Sequence, residues 1–430
     1  MKVKITPSSV TGEVSAPPSK SYTHRAVILA SLAAGKTTIE NPLLSDDTLY
    51  TIDACRSLGA DIALKANRLR ITGTGGQIRV ARAKQKIFAG NSGSTIRMIA
   101  PLAALARTKV VLDGDSRLRQ RPIGDLLSAL ESLGVSARSL SNNGCPPIEI
   151  QGGKLAGGEV TIPGLASSQH ISALLMIAPY TENGLKIKIA GGLRSRPYLD
   201  VTLDVMRAFG IEAVNRDSYM EFLVKGGQKY KARHYRIEGD YSSAAYFLAA
   251  GAIGGKPITV TNLKPDSAQG DRYLLNILSQ MGCSVDYQKE RVTISRRDAL
   301  KGVTADMGDY PDIVPTVAVV AAYARGKTEI TNIAHLRFKE SDRLKLTAAE
   351  LAKMGIRADV SDNSLIIHGG KPKGAEIEAH ADHRLAMSFA IAALFADGTS
   401  IINGAEAVTK SYPHFFADLA KLGAKLKELS

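Results

Sequence analysis

Three polar clusters in the first half of the chain stand directly before apolar runs of helical length. They are PPSKSYTHRA from Pro17, GNSGST from Gly90 and SSQH from Ser167. The start of a helix carries unpaired backbone N–H groups and a partial positive charge, so it can bind an anion. The basic side chains of Lys20 and Arg25 add to that charge. We therefore predict an anion-binding surface, although Ser, Thr and Asn at these positions are also ordinary helix caps.

The second half of the chain places charged clusters next to apolar segments in the same way. KESDR covers 339–343, DHR covers 382–384, and TKSYP contains Lys410. A further carboxylate, Asp312, follows a proline at the start of an apolar run. Because an unpaired carboxylate is costly to bury, Asp312 is expected to meet a cation or a substrate hydroxyl.

Two other motifs do not predict nucleotide or metal binding. GKT at 35–37 and at 326–328 is similar to the end of a phosphate-binding loop, but that loop needs a glycine five residues before the GK pair. Alanine stands at that position in both copies. HADH places His380 and His383 at helical spacing without a third ligand nearby. We therefore predict no metal and no cofactor.

The elements that must position these clusters repeat along the chain. The period is roughly seventy residues, and each copy reads as strand, helix, strand, helix and hairpin, or βαβαββ. Each copy contains a glycine suited to the left-handed backbone conformation just past a helix. The six copies of this signature are SLGA from Ser57, SLGV from Ser132, AFGI from Ala208, QMGC from Gln280, KMGI from Lys353 and KLGA from Lys421.

The two ends of the chain are predicted to complete one repeat together. The sixth copy stops before its closing hairpin, while a spare strand at 2–6 precedes the first copy. The chain would then form two α/β domains of three repeats each, residues 1–14 with 237–430 and residues 15–236. A two-strand hinge would join them, because the chain crosses between them twice. Catalysis is expected between the two domains.

The charge balance favours a small anionic partner. The 430 residues carry 55 Lys and Arg against 41 Asp and Glu, for a net charge of +14. Nucleic-acid binding is disfavoured, because the chain has no Trp and only 5% aromatic residues on which bases could stack. Phosphorylated or carboxylated metabolites fit this composition better.

Composition also bears on location. The apolar runs are too short to span a bilayer, and the N-terminus lacks a signal-like apolar region. The three cysteines have neither metal-site nor redox-motif spacing, so they are expected to be reduced thiols. We expect a cytoplasmic protein that does not interact with a membrane.

The motifs PPSKSYTHRA, GNSGSTIR, RPIGDL, SSQ, KESDR and DHR occur in this order and cover essentially the whole chain. Together they resemble the 5-enolpyruvylshikimate-3-phosphate synthase family. The resemblance implies two inside-out α/β domains, each of three βαβαββ repeats, and a monomeric enzyme. That enzyme would move the enolpyruvyl group of phosphoenolpyruvate onto the 5-hydroxyl of shikimate 3-phosphate and release phosphate. The reaction belongs to the shikimate pathway, which leads to chorismate and the aromatic amino acids.

The resemblance also implies site residues, motif by motif. Arginine suits such sites, because its planar fork binds carboxylate or phosphate through two bonds at once. From the sequence alone, Arg121 fits an exposed surface charge equally well. The residues implied for shikimate 3-phosphate are Lys20, Ser21, Arg25, Ser167, Ser168, Gln169, Ser195, Tyr198, Asp312 and Lys339. Those implied for phosphoenolpyruvate are Lys20, Gly93, Arg121, Arg343, Arg384 and Lys410.

The implied reaction is an addition followed by an elimination. The enol carbon gains a proton while the hydroxyl loses one, and the tetrahedral intermediate then expels phosphate, so an acid and a base are needed. The resemblance implies Asp312 as the proton acceptor and Glu340 as its partner, with Lys20 assisting. Because Glu340 lies between Lys339 and Arg343, an ion-pair role is an open alternative. Substrate binding is expected to close the two domains and exclude water.

Two alternative functions stay open at this point. One is the related enolpyruvyl transferase that acts on UDP-N-acetylglucosamine and shares the fold and the donor. That family uses a cysteine in a mobile loop, whereas Cys145 here stands in a predicted hairpin. The other is an RNA-binding module built on similar repeats, which would retain RNA in a salt-dependent way.

Overall fold

Short strands and helices alternate along the chain. The structure is a computed structural model that describes residues 1–80, 84–165 and 167–429. The strands are β1 (Lys2–Thr6), β2 (Gly12–Ser15), β3 (Ala34–Glu40), β4 (Asp61–Lys65), β5 (Arg68–Thr74), β6 (Lys84–Phe88), β7 (Lys109–Asp113), β8 (Ser136–Ser139), β9 (Ile148–Gln151), β10 (Gly158–Pro163), β11 (Leu185–Ala190), β12 (Ala213–Arg216), β13 (Glu221–Val224), β14 (His234–Arg236), β15 (Ile258–Thr261), β16 (Ser284–Gln288), β17 (Arg291–Ser295), β18 (Thr304–Asp306), β19 (Lys327–Thr331), β20 (Ala358–Val360), β21 (Ser364–His368), β22 (Glu376–Glu378), β23 (Ser400–Asn403) and β24 (Lys425–Leu429).

Two kinds of helix accompany these strands. The α-helices are α1 (Lys20–Leu32), α2 (Asp46–Ser57), α3 (Gly93–Ala103), α4 (Gly124–Ser132), α5 (Ser168–Ile177), α6 (Pro197–Ala208), α7 (Tyr241–Gly254), α8 (Leu274–Gln280), α9 (Val314–Ala321), α10 (Arg343–Lys353), α11 (His383–Ala393) and α12 (Phe415–Lys421). Short 3₁₀-helices cover Leu118–Gln120, Ala178–Tyr180, Asp217–Tyr219, Gly270–Tyr273, Pro311–Ile313, Ala334–Phe338 and Ala405–Lys410.

The strands of the described residues form six four-stranded sheets with one common topology. In each sheet the first two strands are parallel and the last two are antiparallel, and in all but the sixth sheet those last two form a hairpin. This topology is the βαβαββ repeat, and it confirms the predicted α/β fold class of two domains with three repeats each. The strand orders are β14-β3-β5-β4, β6-β7-β9-β8, β10-β11-β13-β12, β2-β15-β17-β16, β18-β19-β21-β20 and β22-β23-β1-β24.

The two ends of the chain share the sixth sheet, as the incomplete last repeat predicted. Strand β1 lies between β23 and β24 and is antiparallel to both. Val3 is paired with Ile402 on one side and with Glu428 on the other. The N-terminal strand therefore fills the place that the last strand of the hairpin takes in the other sheets.

The first strand of two repeats comes from a distant part of the chain. The chain divides into two compact units, Met1–Pro17 with Glu238–Ser430 and Pro18–Ile237. Strand β2 directly precedes α1, yet it pairs in parallel with β15. Strand β14 directly precedes α7, yet it pairs in parallel with β3. Each unit thereby obtains three complete repeats.

The glycine of each signature ends a helix as predicted. Its φ is positive in all six copies, between 75° and 103°. In this left-handed region a side chain would be strained, so glycine can turn the chain out of the helix. The hydrophobic residue before each glycine is then buried, as with Leu58, Phe209 and Met354. The second helix of every repeat therefore ends on a core contact.

The first helix of each repeat lies in the interior of its unit. Every residue of α9 and α11 is buried, and so is every residue of α7 except the last. These three helices pack against one another, and in the unit Pro18–Ile237 α3 packs against both α1 and α5. A helix that is apolar all round is stable only when surrounded. These helices therefore form the centre of their own unit. Within the described residues, no helix combines the length and hydrophobicity needed to span a membrane.

Candidate active site

Serine side chains cap the first helix of each repeat in the unit Pro18–Ile237. Ser19, Ser92 and Ser167 accept hydrogen bonds from backbone N–H groups two or three residues later. Serine is neutral, so it does not cancel the positive end of the helix dipole. Capping and anion binding, the two interpretations of these clusters, are thus compatible.

Carboxylates take the place of serine in the other unit. Asp240 caps α7 and accepts from the N–H of Ser243 at 2.7 Å, and Asp382 caps α11 and accepts from the N–H of Arg384 at 2.9 Å. Asp312 lies in the 3₁₀-helix directly before α9. A carboxylate at a helix start neutralises the dipole. Equivalent positions of the repeats therefore carry neutral caps in one unit and acidic groups in the other.

Lys20 is held by a carboxylate that sequence reasoning missed. Its Nζ lies 3.2 Å from Oδ2 of Asp47, and both side chains are largely buried. The backbone carbonyl of Asp47 accepts a hydrogen bond of 3.1 Å from Oγ1 of Thr95. These bonds join the start of α1, through α2, to the start of α3. The available signal for Asp47 was its position in the first turn of the second helix of the repeat.

Arg25 is a buried cation among neutral oxygens. Its Nε donates to Oγ1 of Thr202 at 2.7 Å, and its Nη2 donates to the carbonyl of Tyr198 at 3.0 Å. The carbonyl of Ser21 accepts from Nη1 at 3.0 Å. Burial lowers the pKa of Arg25 to about 10, which leaves it charged at neutral pH. Neutral partners do not cancel that charge, so it can act on an anion.

Gly93 and Arg121 lie in contact at the start of α3. A Cβ on Gly93 would come within 2.6 Å of the guanidinium carbon of Arg121, so a side chain at this position would have to displace that guanidinium. Arg121 is buried, and its Nη1 donates to the carbonyl of Asn91 at 3.4 Å. It is therefore not the exposed surface charge that the sequence left open.

The starts of α5 and α6 carry further predicted residues. Ser168 is the first residue of α5 and is buried. Ser195 precedes α6, and its carbonyl accepts from the N–H of Tyr198 at 3.2 Å. Its φ of 58° is uncommon for a residue with a side chain and is typical of functional sites. Tyr198 thus contacts both Ser195 and Arg25.

Arg343 is the centre of a buried ion network in the other unit. It begins α10 and is only 1% exposed. Its Nε lies 2.8 Å from Oδ2 of Asp382, its Nη1 lies 2.9 Å from Oδ1 of Asp312, and its Nη2 lies 2.7 Å from Oε2 of Glu340. Ser341 Oγ also donates to Asp382 at 2.9 Å. A guanidinium with five donors can hold several carboxylates in this way.

Asp312 also contacts a second arginine. Its Oδ2 accepts a hydrogen bond of 2.9 Å from Nη2 of Arg384. Arg384 Nη1 donates to the hydroxyl of Tyr246 at 3.3 Å. The sequence predicted a cation or a substrate hydroxyl beside Asp312, and the structure places two arginines there, one at each carboxylate oxygen.

Both arginines stay charged despite their burial. Burial acts to lower the pKa of Arg343, but the charges of Asp382, Glu340 and Asp312 outweigh it and hold that pKa above its ordinary value. The same holds for Arg384, where burial is outweighed by the charge of Asp312 above all. The site therefore keeps two fixed positive charges beside its carboxylates.

Three further predicted residues, Glu340, Lys339 and Lys410, belong to the same unit. Glu340 is largely buried and forms an ion pair with Arg343, as the alternative interpretation predicted. Lys339 is half-buried next to it. Lys410 is buried and ends a 3₁₀-helix that packs on α11. An ion pair and a catalytic role do not exclude each other, since a carboxylate held by arginine is also well oriented.

Asp271 is a buried acid that sequence reasoning missed. It lies in the 3₁₀-helix Gly270–Tyr273, and its Oδ2 accepts a hydrogen bond from Oγ of Ser242 in the first turn of α7. Burial, together with the negative charges of Asp312 and Asp240, raises the pKa of Asp271 from 3.8 to about 7, although Arg384 opposes this. The one signal for Asp271 in the sequence was its position in the QGD segment before the helix α8.

The raised pKa predicts that Asp271 lowers stability as the pH rises. The folded protein holds this proton more tightly than the unfolded chain, so its stabilising effect is complete below about pH 4 and is lost as the pH rises through about 7. Between about pH 5 and about pH 8 the unfolding free energy of the natural protein should fall by about 3 kcal/mol relative to that of Asp271→Asn, because asparagine does not titrate. Urea unfolding at several pH values measures this difference. The exposed Asp286→Asn is the control and should follow the natural protein, whereas a pH-independent difference for Asp271→Asn would refute the prediction.

His380 and His383 do not form part of a metal cluster in the described chain. Nε2 of His380 lies 2.9 Å from Oε1 of Glu350, which also pairs with Lys353. Across residues 1–80, 84–165 and 167–429, no group of three or more His, Cys, Asp or Glu is arranged to hold a metal. The GKT motifs lie in β3 and at the start of β19, in strands and not in phosphate-binding loops.

Comparison with protein families decides the assignment. The family model of EPSP synthase (3-phosphoshikimate 1-carboxyvinyltransferase) matches residues 5–419. The chain belongs to the EPSP synthase family. A 3-phosphoshikimate 1-carboxyvinyltransferase of Methanocella arvoryzae is 45% identical over 99% of this chain and 100% of its own length. The protein of the same name from Methanocaldococcus jannaschii is 44% identical over 97% of this chain and 96% of its own.

Solved structures agree with the family assignment. EPSP synthase from Acinetobacter baumannii is similar to this chain with a TM-score of 0.83 and 29% identity, over 99% of this chain and all of that one. The enolpyruvyl transferase NikO from Streptomyces tendae has a TM-score of 0.81 at 20% identity, covering 99% of this chain and 98% of its own, which shows the shared fold alone. Membership of the EPSP synthase family favours the predicted shikimate function over both alternatives.

Proposed function

We propose that this protein transfers the enolpyruvyl group of phosphoenolpyruvate to the 5-hydroxyl of shikimate 3-phosphate and releases phosphate. The family and the names of the full-length relatives support this reaction. The observation that carries the proposal is Asp312, whose two oxygens are held 2.9 Å from the buried arginines Arg343 and Arg384. A carboxylate held beside two cations lies where a hydroxyl proton and the carboxylate and phosphate of an anionic donor could all be bound.

The proposed reaction proceeds by addition and elimination. Asp312 accepts the proton of the 5-hydroxyl while the oxygen of that hydroxyl attacks C2 of phosphoenolpyruvate. An acid adds a proton to C3. Glu340 is the proposed partner of Asp312, with Lys20 assisting. The tetrahedral intermediate then loses phosphate and a proton from the methyl carbon, which restores the double bond. Fixed positive charges stabilise the phosphate as it leaves.

The substrate contacts are proposed from the same residues. We propose that the Ser-capped helix starts of domain 15–236 bind mainly shikimate 3-phosphate, through neutral caps and the buried charge of Arg25. Domain 1–14 with 237–430 would supply Asp312, Glu340 and half of the proposed phosphoenolpyruvate contacts. The proposed contacts for shikimate 3-phosphate are Lys20, Ser21, Arg25, Ser167, Ser168, Gln169, Ser195, Tyr198, Asp312 and Lys339. Those for phosphoenolpyruvate are Lys20, Gly93, Arg121, Arg343, Arg384 and Lys410.

Domain closure is proposed to accompany substrate binding. Residues of both domains are assigned to the same pair of substrates, so we propose that the hinge closes when they bind. The enzyme is proposed to act as a monomer in the cytoplasm.

Phosphate release from phosphoenolpyruvate tests the proposed function directly. We expect release that requires shikimate 3-phosphate and yields a product carrying the enolpyruvyl group, detected by mass spectrometry. The same assay with UDP-N-acetylglucosamine as acceptor is the control and should give no release. Release with that acceptor, or none with shikimate 3-phosphate, would contradict the proposal.

A further inference from the structure

A buried arginine fixes the side-chain amide of Gln169. Nη1 of Arg97 donates to Oε1 of Gln169 at 2.9 Å, and Nε2 of Gln169 donates to Oγ of Ser94 at 2.9 Å. Arginine has donors only, so the carbonyl end of the amide must face it. The orientation of the amide therefore follows from the chemistry of its neighbours.

This orientation determines what Gln169 can offer a ligand. An amide nitrogen carries two N–H groups, and one of them is used on Ser94. The amide oxygen is already engaged by Arg97. Gln169 can therefore present its second N–H to a bound molecule, and this N–H requires an acceptor such as a hydroxyl, carboxylate or phosphate oxygen.

The same arginine also reaches the segment that carries Arg121. Nη2 of Arg97 donates to the carbonyl of Pro122 at 2.9 Å. Arg97 itself lies in the second turn of α3 and is buried. One guanidinium thus ties together α3, the first turn of α5 and the backbone next to Arg121.

The residue next to Gln169, His170, adds no charge beside Arg97. Burial, with a further contribution from the charge of Arg97, holds the pKa of His170 well below its usual value. His170 is therefore neutral and does not add a second charge beside the guanidinium. Arg97 is thus the charged partner of the Gln169 amide.

We propose that Arg97 is a positioning residue that keeps Gln169 as an obligatory donor to shikimate 3-phosphate and steadies Arg121 for phosphoenolpyruvate. The inference rests on the proposed function, because it assigns Gln169 and Arg121 to those two substrates. Arg97 acts on both through other residues. It therefore couples the two binding steps within one unit.

A double-mutant cycle tests this role. Arg97→Met is expected to raise the KM for shikimate 3-phosphate about tenfold or more, because the amide loses its charged partner and can turn. The KM for phosphoenolpyruvate should rise about threefold, with kcat reduced less than about threefold. In Gln169→Met the Arg97 substitution should add less than about threefold to the KM for shikimate 3-phosphate, since the target of the arginine is gone.

Controls separate positioning from general damage. Arg97→Lys keeps the charge but has a single donor nitrogen in place of the guanidinium fork, so it should recover part of the lost affinity for shikimate 3-phosphate in calorimetry. If Arg97→Met does not fold, Ser94→Ala takes its place in the cycle with Gln169→Met, because Ser94 holds the other end of the same amide. Independent, multiplying effects of the two substitutions would overturn the inference. Absent activity of the natural protein would instead overturn the proposed function.

Discussion

Asp312→Asn is expected to lower kcat by about a thousandfold or more, because it removes the proposed proton acceptor. The amide keeps the shape of the carboxylate but cannot take a proton. Its NH₂ group would also face a guanidinium donor, since the two oxygens of Asp312 accept from Arg343 and Arg384 at 2.9 Å. Steady-state phosphate release measures the loss, and calorimetry with shikimate 3-phosphate shows whether binding survives.

A matched substitution controls for the change from carboxylate to amide. Asp298 is exposed in the same unit, and Asp298→Asn should keep kcat within about twofold of the natural protein. If Asp312→Asn retains more than about a tenth of kcat, the proton acceptor is another group. Glu340, which shares Arg343 with Asp312, would then be the first candidate.

Arg343→Met should destabilise the protein by about 3–5 kcal/mol, because it leaves buried carboxylates without their partner. Asp382, Asp312 and Glu340 each lie within 2.9 Å of this guanidinium. Affinity for phosphoenolpyruvate should fall as well, since Arg343 is one of its proposed ligands. Urea unfolding and the KM for phosphoenolpyruvate measure the two effects separately.

Two further variants sharpen the interpretation of Arg343. Arg343→Lys restores the charge but not the fork of donors, so its unfolding free energy should lie between those of the natural protein and Arg343→Met. Arg357 pairs with Asp359 at 3.0 Å but is 72% exposed, and Arg357→Met should leave the unfolding free energy almost unchanged. Equal losses for Arg343→Met and Arg357→Met would show that the network does not stabilise the fold.

Local patterns in the sequence were sufficient for the repeat architecture. Helix ends depend on short-range chemistry, so a glycine such as Gly59 could be assigned its left-handed conformation from its neighbours alone. The incomplete last repeat and the spare first strand likewise predicted that both ends share one sheet, which β1 confirms. Three helix starts were found because capping residues stand next to the helices they cap.

Contacts between distant residues could not be read in the same way. Arg343 follows Asp312 by 31 positions, and Arg384 follows it by 72, yet both touch the same carboxylate. Asp47, Arg97 and Asp271 were missed for the same reason, since their partners lie on other helices. The sequence marked Arg121 as basic, but only its packing against Gly93 shows that it is buried.

The sequence by itself determined the family, the six repeats and the residue types of the candidate site. Tertiary structure alone decided which charges meet, which acid has a raised pKa, and which distant strands, β2 and β14, open the repeats of β15 and β3. The physical reason is the separation along the chain over which each kind of interaction acts. Helix caps and turns depend on residues within about four positions of one another, whereas burial and charge pairing depend on packing between elements that the chain order does not specify.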